Sequence, residues 1–374
     1  SLGKIELSVS VITLFFLFNG LSMTQTMILE SIFAISILIM EIPSGTFADK
    51  IGRKWSLALS SLSFSIGSFI FAIGSNFWIF IFAQILDAGS WALRSGADSA
   101  FIYDSLKEDK RSKDFVKIMG RGHAIWMGLL AVLAITSAFL PDLIGYRLIF
   151  FVTSAFFFIG FLIAATFKEP PIHRHLQEKN HLKHILKAAE FVIKNKVMKN
   201  YIAFFAILSS MGYLTYFLIQ PYYEISTGLG LILGIAVTTY FMSCSLGHFL
   251  ADKICKSFKE NTLLLTIYIA GIIAFLGMFF VNPYFALFFI FLIGMVDSTV
   301  NLYTEHKIHE TTSSHHRATV ISLQSFIKNI LYALLAPLIG YVTDLYEPKY
   351  GFLAMGIITL FYGLILLIQW NKRI

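Results

Sequence analysis

The chain has 374 residues, of which 57% are hydrophobic and only 14% are charged, and its mean hydropathy is +0.74. A soluble globular protein carries about 25% charged residues, so this composition excludes a water-soluble domain and indicates an all-α integral membrane protein. The formal charge of +7 and the pI near 9.2 would also suit nucleic acid as a partner, but the positions of the cations, described below, argue against it. Two cysteines predict no disulfide framework.

Twelve mainly apolar segments follow one another along the chain, and a membrane-spanning helix needs about 20 such residues. They cover residues 5–19, 24–47, 55–73, 77–103, 115–139, 146–167, 201–222, 229–251, 263–281, 285–306, 318–341 and 351–370. The first segment is short and the chain begins with Ser1, so a trimmed first helix is expected. No small-residue cleavage site follows it, so a signal peptide is not predicted.

The cations are distributed unequally among the loops. Of the 29 Lys and Arg residues, 25 lie in one set of alternate loops and ends, and only Arg147 and Lys349 lie in the opposite set. The remaining two, Arg94 and Lys328, lie inside apolar segments. Because cytoplasmic loops of membrane proteins collect Lys and Arg, both termini are predicted to be cytoplasmic and the number of spans to be even. The basic pI is thus a sign of topology, and no nucleic-acid partner is predicted.

The loop after the second span reads Gly45-Thr-Phe-Ala-Asp49-Lys-Ile-Gly52-Arg53-Lys54. It resembles the signature loop of the major facilitator superfamily of transporters, Gly-x-x-x-Asp-x-x-Gly-Arg-Lys, at all five marked positions. Further stretches resemble a prokaryotic, drug-efflux-like branch of that family: residues 41–45, 95–106 and 317–322. The resemblance implies twelve transmembrane helices in two six-helix bundles, placed in the cell membrane and working as a monomer. It implies neither a cofactor nor an enzymatic activity.

The predicted domains are an N-terminal bundle, residues 1–168, a cytoplasmic linker, residues 169–199, and a C-terminal bundle, residues 200–374. Within the linker, apolar residues recur at helical spacing beside several lysines, which predicts a basic amphipathic helix on the inner leaflet. Short echoes between residues 98–103 and 297–303 fit the parallel halves of this superfamily.

Three charged residues of the fourth span are predicted to share one helix face. At about 1.5 Å per residue, Asp87 lies about 15 Å down from the outer surface and Arg94 about 25 Å. Asp98 follows Arg94 by four residues, on nearly the same face. Ionisable residues in a membrane helix are costly and therefore functional candidates, which suggests a proton or substrate-charge site centred on Asp87. The alternative is an internal pair of Arg94 with Asp98 that only neutralises itself.

Further candidates lie in three other spans. Lys328 is either a counter-charge for an anionic group of a substrate or a fixed partner of an acid such as Asp297. Asp297 and Asn301 are four residues apart and are predicted to line a cavity. Glu30 and Glu41, eleven residues apart on the second span, share a face. Either could carry protons, or lock the packing of neighbouring helices.

The signature loop is predicted to act in gating rather than in binding. The resemblance implies that Asp49 meets the far bundle and that Arg53 meets an acid at the inner end of span four, here Asp104. Gly45 would permit a close helix approach and Gly52 the tight turn.

A cytoplasmic loop between spans ten and eleven collects imidazoles and carboxylates. Its residues are Glu305, His306, His309, Glu310, His315 and His316. Histidines three apart on a helix can share a metal ion. Because such a loop is usually solvated, however, no metal site is predicted.

These features together predict a secondary active transporter that moves a small organic molecule by alternating access, with protons and the lipid bilayer as its other partners. No phosphate-binding loop occurs in the sequence, so an ion gradient is expected to drive transport. Intramembrane carboxylates can carry protons, so proton-coupled efflux is predicted. Two alternatives remain open: proton-coupled uptake of a charged metabolite or metal chelate, and a membrane receptor or scaffold that transports nothing. A membrane-embedded enzyme is not predicted.

Overall fold

The computed structural model describes residues 6–95, 97–169, 192, 195–228, 230–257, 259–312 and 314–371. The regular secondary structure within these ranges is helical. The helices are α1 Ile12–Phe18, α2 Met23–Ile51, α3 Arg53–Ile73, α4 Phe77–Arg94, α5 Ala97–Glu108, α6 Phe115–Ser137, α7 Leu140–Ile144, α8 Tyr146–Ala165, α9 Lys196–Thr227, α10 Gly230–Ser257, α11 Glu260–Phe280, α12 Pro283–Thr311, α13 Ser314–Leu345 and α14 Pro348–Asn371. The predicted all-helical class is confirmed.

Nine of the described helices are long and apolar enough to cross a membrane: α2, α3 and α8 to α14. The predicted first, fourth and fifth spans correspond to α1, α4 and α6, which do not meet that test over the described residues. In α6 the apolar part is the short stretch Gly128–Ser137. The count of twelve spans therefore stays a prediction.

The predicted fourth span is two helices rather than one. α4 ends at Arg94, where Ser95 leaves the helical conformation with φ −54° and ψ 119°, and α5 begins at Ala97. The prediction that Asp98 continues the face of Asp87 and Arg94 on one helix is therefore wrong. The sequence Ser95-Gly96 is typical of a turn or kink, but a hydropathy window averages over two such residues, which explains why hydropathy missed the interruption.

In the first half of the chain α3 packs against both α4 and α8. Its small polar residues bind the neighbouring helices, because serine hydroxyls of α3 donate to backbone carbonyls of α4 and α8. The donor and acceptor pairs are Ser56 and Leu93, Ser60 and Ser90, Ser63 and Leu86, and Ser65 and Ser154, at 2.6 to 2.9 Å. Small residues allow helix backbones to approach closely in a membrane, so α4 is held tightly along α3. A cluster that includes Phe15, Phe71, Phe80 and Phe150 fills one end of this half.

In the second half α9 packs against α10, α12, α13 and α14. Three tyrosine hydroxyls donate to backbone carbonyls across helix contacts of this half, and each of these three thereby finds an acceptor. The pairs are Tyr222 with Met278, Tyr240 with Gly212, and Tyr268 with Thr359, at 2.9 to 3.1 Å.

The chain divides into two compact units. The first contains α1, α2 from Ile28 onward, and α3 to α8; the second contains Ser22–Met27 and α9 to α14. The division in the middle of the chain falls after Glu178, inside the predicted linker. The predicted amphipathic helix of that linker lies almost entirely outside the described residues.

Candidate functional site

The first unit contains a cluster of acidic residues around α4. Asp87, on α4, is 8% exposed and lies within electrostatic range of Glu6 and Glu30. Glu30, on α2, is 4% exposed, and its Oε1 accepts a hydrogen bond of 2.8 Å from Nε2 of Gln84, one turn before Asp87 on α4. Glu6 precedes α1 and accepts a bond of 3.1 Å from the Ser8 hydroxyl. The structure thus brings Asp87 and Glu30 together and adds Glu6 and Gln84, which the sequence analysis did not single out.

Arg94 supplies a positive charge to this acidic cluster. It is half-buried, lies within electrostatic range of Glu6 and Asp98, and stacks on the Trp91 ring with its guanidinium carbon 4.7 Å from the ring centroid. Although α4 ends at Arg94, the following turn returns Asp98 to its vicinity. The predicted proximity of Arg94 to Asp98 therefore has a physical basis, and within the acidic cluster the carboxylate near Arg94 is that of Glu6.

Glu41 lies in a different environment from Glu30. Both residues are on α2, but Glu41 is exposed whereas Glu30 is buried beside Gln84. Their equal angular position on the helix is therefore not matched by equal surroundings. Helical periodicity gives the direction of a side chain but not what packs over it.

The second unit contains a separate polar cluster around Asp297 of α12. Its Oδ1 accepts hydrogen bonds of 3.0 Å from the Ser209 hydroxyl and 3.0 Å from Nδ2 of Asn301. The same Asn301 amide donates to Ser209 Oγ at 3.0 Å, which closes a triangle of hydrogen bonds. Lys328 and His248 lie within electrostatic range of Asp297. The structure therefore brings Asp297, Asn301 and Ser209 into hydrogen-bond contact and places Lys328 within electrostatic range of Asp297.

Glu6, Gln84 and Ser209 were not singled out from the sequence, and each is a polar residue inside or beside an apolar segment. Gln84 and Ser209 carry no charge, so they did not stand out among apolar neighbours. Glu6 lies before α1 and outside regular secondary structure, where no helical spacing relates it to the other acids. A search for every side chain with hydrogen-bonding capacity in the spans would have found Gln84 and Ser209.

The signature loop forms the junction of α2 and α3. Gly52 has φ +124°, a value that L-residues with a side chain rarely adopt, and it is the single residue between the two helices. Directly after it, the backbone N–H groups of Arg53 and Lys54 donate to Oε1 and Oε2 of Glu169, each at 2.8 Å. The free N–H groups at the start of a helix favour an anion, and Glu169 occupies that position for α3.

Arg53 also joins this junction to α5. Its guanidinium forms an ion pair with Asp104, the acid that the resemblance indicated, and donates to the Ala100 carbonyl at 2.9 Å. Asp49 is exposed near the end of α2. An added Cβ at Gly45 would meet no atom within 4 Å, so the expected close helix approach at Gly45 is not present in the described structure. The gating role of the loop stays a prediction.

The cluster between spans ten and eleven contains ion pairs. Lys307 lies 3.0 Å from Glu260 and 3.0 Å from Glu310, and its ammonium group lowers the pKa of the Glu310 carboxyl. His306 lies 3.3 Å from Glu310. The described side chains, which do not include those of His309, His315 and His316, contain no group of three or more potential metal ligands.

Similarity to known transporters extends over most of the chain. The profile of the Major Facilitator Superfamily matches residues 6–330. The uncharacterized transporter BU466 of Buchnera aphidicola is 30% identical over 195 residues, which are 52% of this chain and 48% of that protein. The quinolone resistance protein NorA of Staphylococcus aureus is 23% identical over 155 residues, 41% of this chain and 38% of NorA. The chain thus matches about half or less of the length of these relatives.

Two solved structures have the same architecture. The nucleoside transporter NupG superposes with a TM-score of 0.82 at 16% identity, covering 99% of this chain and 96% of NupG. A bacterial homolog of the human lysosomal transporter Spinster, inward-facing and unoccupied, superposes with a TM-score of 0.74 at 16% identity, covering 98% of this chain and 92% of that one. At such identity these likenesses establish the fold alone. Because the family profile covers most of the sequence, this chain belongs to the Major Facilitator Superfamily and is a multi-pass membrane transporter.

Proposed function

We propose that the chain is a proton-coupled secondary transporter that exports a small organic molecule by alternating access. The observation that carries this proposal is the net charge of the acidic cluster around Asp87. Glu6 lies within electrostatic range of Glu30, Asp87 and Arg94, and Asp98 also lies within range of Arg94. If all five groups are ionised, the four carboxylates and one guanidinium leave an excess of three negative charges. Burying unbalanced charge is costly, and protons neutralise it with the least rearrangement.

Burial divides the proton role from the substrate role. Asp87 is 8% exposed and lies inside the first unit, so a proton can reach it more easily than an organic cargo. Arg94 and Lys328 are half-buried and retain some exposed surface. We therefore assign proton binding to Asp87 with Glu30, and contact with polar groups of the cargo to Arg94, Lys328 and the Asp297 cluster.

The direction of transport rests on the likeness to NorA, whose name records resistance to quinolones. Uptake of a charged metabolite or metal chelate is the competing proposal, and the half-buried cations Arg94 and Lys328 favour it, since both could hold an anion. For gating, we propose that Asp49 and Arg53 of the signature loop, with Asp104, hold one state of the transport cycle.

The test uses purified protein in liposomes with an imposed pH gradient. A fluorescent quinolone and a radiolabelled nucleoside serve as probes, because NorA is named for quinolone resistance and NupG is a nucleoside transporter. We expect one of them to move against the proton gradient in the wild type, and the Asp87→Asn variant to lose at least about tenfold of this flux, which corresponds to about 1.4 kcal/mol. Asp142→Asn is the matched control, since it makes the same chemical change on an exposed residue of α7.

Three results would contradict the proposal. Flux that is equal with and without the gradient would exclude proton coupling, and flux in the same direction as the protons would favour uptake. If Asp87→Asn and a neutral substitution of Arg94 both left the activity of the protein in cells unchanged, the receptor or scaffold alternative would be favoured.

A further inference from the structure

Gly67 of α3 faces the side chain of Asp87 on α4. A Cβ added to Gly67 would collide with Asp87 Oδ1, and it would lie 3.2 Å from Asp87 Cγ and 3.2 Å from the Ala83 carbonyl oxygen. The space that a side chain would fill at position 67 is therefore already occupied by the carboxyl group of Asp87. Gly67 is itself buried, so this space is closed to solvent.

The carboxyl group in this space has an oxygen that receives no hydrogen bond. Asp87 Oδ1 is fully buried, and no donor of the described residues reaches it. A buried oxygen without a donor is tolerable in a neutral carboxylic acid and costly in a carboxylate. The charged groups that face this carboxyl are acids, Glu6 from the N-terminal segment and Glu30 from α2, and both oppose a negative charge on Asp87.

We propose that Gly67 is a positioning residue for proton coupling: by lacking a side chain, it forms a socket in α3 that accepts the neutral Asp87 carboxyl group and rejects the ionised one. Loss of the proton then requires Asp87 to leave the socket or α4 to move relative to α3. The inference rests on the proposed proton-coupled function and adds the element that converts a protonation into a movement.

A purely packing role for Gly67 is the competing explanation. Gly89, on α4 in the same unit, provides the comparison, because a Cβ added there would meet no titratable group. It would lie 3.3 Å from Met40 Sδ, a tight contact with a flexible side chain, and 3.7 Å from Ser63 Oγ, an ordinary packing contact. At Gly67 the atoms in the way belong mainly to a titratable side chain. An added methyl group could be accommodated there if the Asp87 side chain rotated out, so the fold need not be lost.

The experiment is infrared difference spectroscopy of the full-length protein during pH titration, which requires no transported substrate. The wild-type spectrum should contain a carboxylic-acid C=O band at the high frequency that is typical of groups without hydrogen bonds, and Asp87→Asn should remove it. In Gly67→Ala the amplitude at this frequency should fall at least about tenfold, with a new band at the lower frequency of a hydrogen-bonded acid. Gly89→Ala should leave the band unchanged.

An unchanged band in Gly67→Ala, or no such band in the wild type, would overturn the socket. If Gly67→Ala does not fold, Asp87→Glu tests the same point, because its carboxyl group extends one methylene further and no longer fits beside Gly67. The outcome is independent of the transport test. If the infrared band behaves as expected but flux does not depend on the pH gradient, only proton-coupled transport is contradicted. If Asp87→Asn abolishes flux but Gly67→Ala leaves the band unchanged, only the positioning role of Gly67 is contradicted.

Discussion

Glu169 is expected to hold the start of α3, and its removal is a direct test of how the signature loop is built. The carboxylate accepts two backbone hydrogen bonds of 2.8 Å, from Arg53 and Lys54, in the first turn of the helix. In Glu169→Ala both N–H groups lose their acceptor at a position that is only partly open to water. The turn at Gly52 then loses the contact that fixes its direction.

The expected loss of stability has two parts, the capping hydrogen bonds and the negative charge at the helix N-terminus. Removing a capping side chain costs about 0.5 to 2 kcal/mol, and removing a negative charge from a helix N-terminus costs about 0.3 to 1 kcal/mol. We therefore expect Glu169→Ala to lower the free energy of unfolding by about 2 kcal/mol. Glu169→Gln keeps an acceptor oxygen but loses the charge and one of the two bonds, so about half of that loss is expected.

Unfolding by titration with sodium dodecyl sulfate in mixed micelles measures these differences. Glu108→Ala is the matched control, because Glu108 is a carboxylate on the neighbouring α5 whose bond of 2.7 Å goes to the exposed Lys168. Water and salt screen an exposed ion pair, so the control should lose less stability than Glu169→Ala. Equal losses in the two variants would refute the capping role of Glu169.

Gly52 provides a second test of the same junction. A Cβ at this position would lie 2.8 Å from Glu169 Oε2, and the φ of +124° strains any other residue. Gly52→Ala should therefore cost more in the wild type than in the Glu169→Ala background, where only the backbone strain remains. Additive losses would show that the carboxylate does not occupy the space beside Gly52.

Three further predictions concern the second unit, each measured by the same unfolding titration. Ser209→Ala should cost about 1 to 3 kcal/mol, because it removes two hydrogen bonds, one donated to Asp297 and one accepted from Asn301. Gly212→Ala should cost about 1 to 3 kcal/mol, because its Cβ would lie 2.9 Å from Asp297 Cγ; the loss should shrink when Asp297 is also replaced by Ala. Asp344→Ala should cost about 1 kcal/mol, because its carboxylate accepts two backbone bonds of 2.7 and 2.8 Å at the start of α2. A loss below 0.5 kcal/mol, which is about what an ordinary surface substitution costs, would contradict the corresponding prediction.

Hydropathy located most of the long helices because lipid requires a long apolar segment with internally satisfied backbone groups. It placed their ends less well. The predicted seventh span, residues 201–222, corresponds to Lys196–Thr227, and the tenth, residues 285–306, corresponds to Pro283–Thr311. A helix does not have to end at the surface of the bilayer, so polar residues such as Lys196 continue it beyond the apolar segment that the sequence reveals.

The individual charged residues of the candidate site were predictable, because an ionisable group in an apolar span is energetically costly and therefore marks a functional candidate. Partners were not predictable when they came from distant parts of the chain. Glu6 meets Arg94 from a segment without helical periodicity, and Glu169 reaches the start of α3 from beyond the end of α8. Gly67 was also missed, since a glycine inside an apolar helix does not indicate whether its space is filled by a methyl group or by a carboxyl group.

The surroundings of Asp87 and Asp297 suggest different tasks for the two aspartates. Each lies within a helix and faces a glycine of a neighbouring helix, Gly67 or Gly212. Asp297 receives hydrogen bonds from two side chains and lies within electrostatic range of Lys328, whereas Asp87 Oδ1 receives no bond from the described residues. Donors and a nearby cation favour a carboxylate, and their absence favours a neutral acid. We therefore expect the charge of Asp87, rather than that of Asp297, to change during the transport cycle. Replacing Asp297 by Asn should then weaken cargo binding while leaving the dependence of flux on the pH gradient intact.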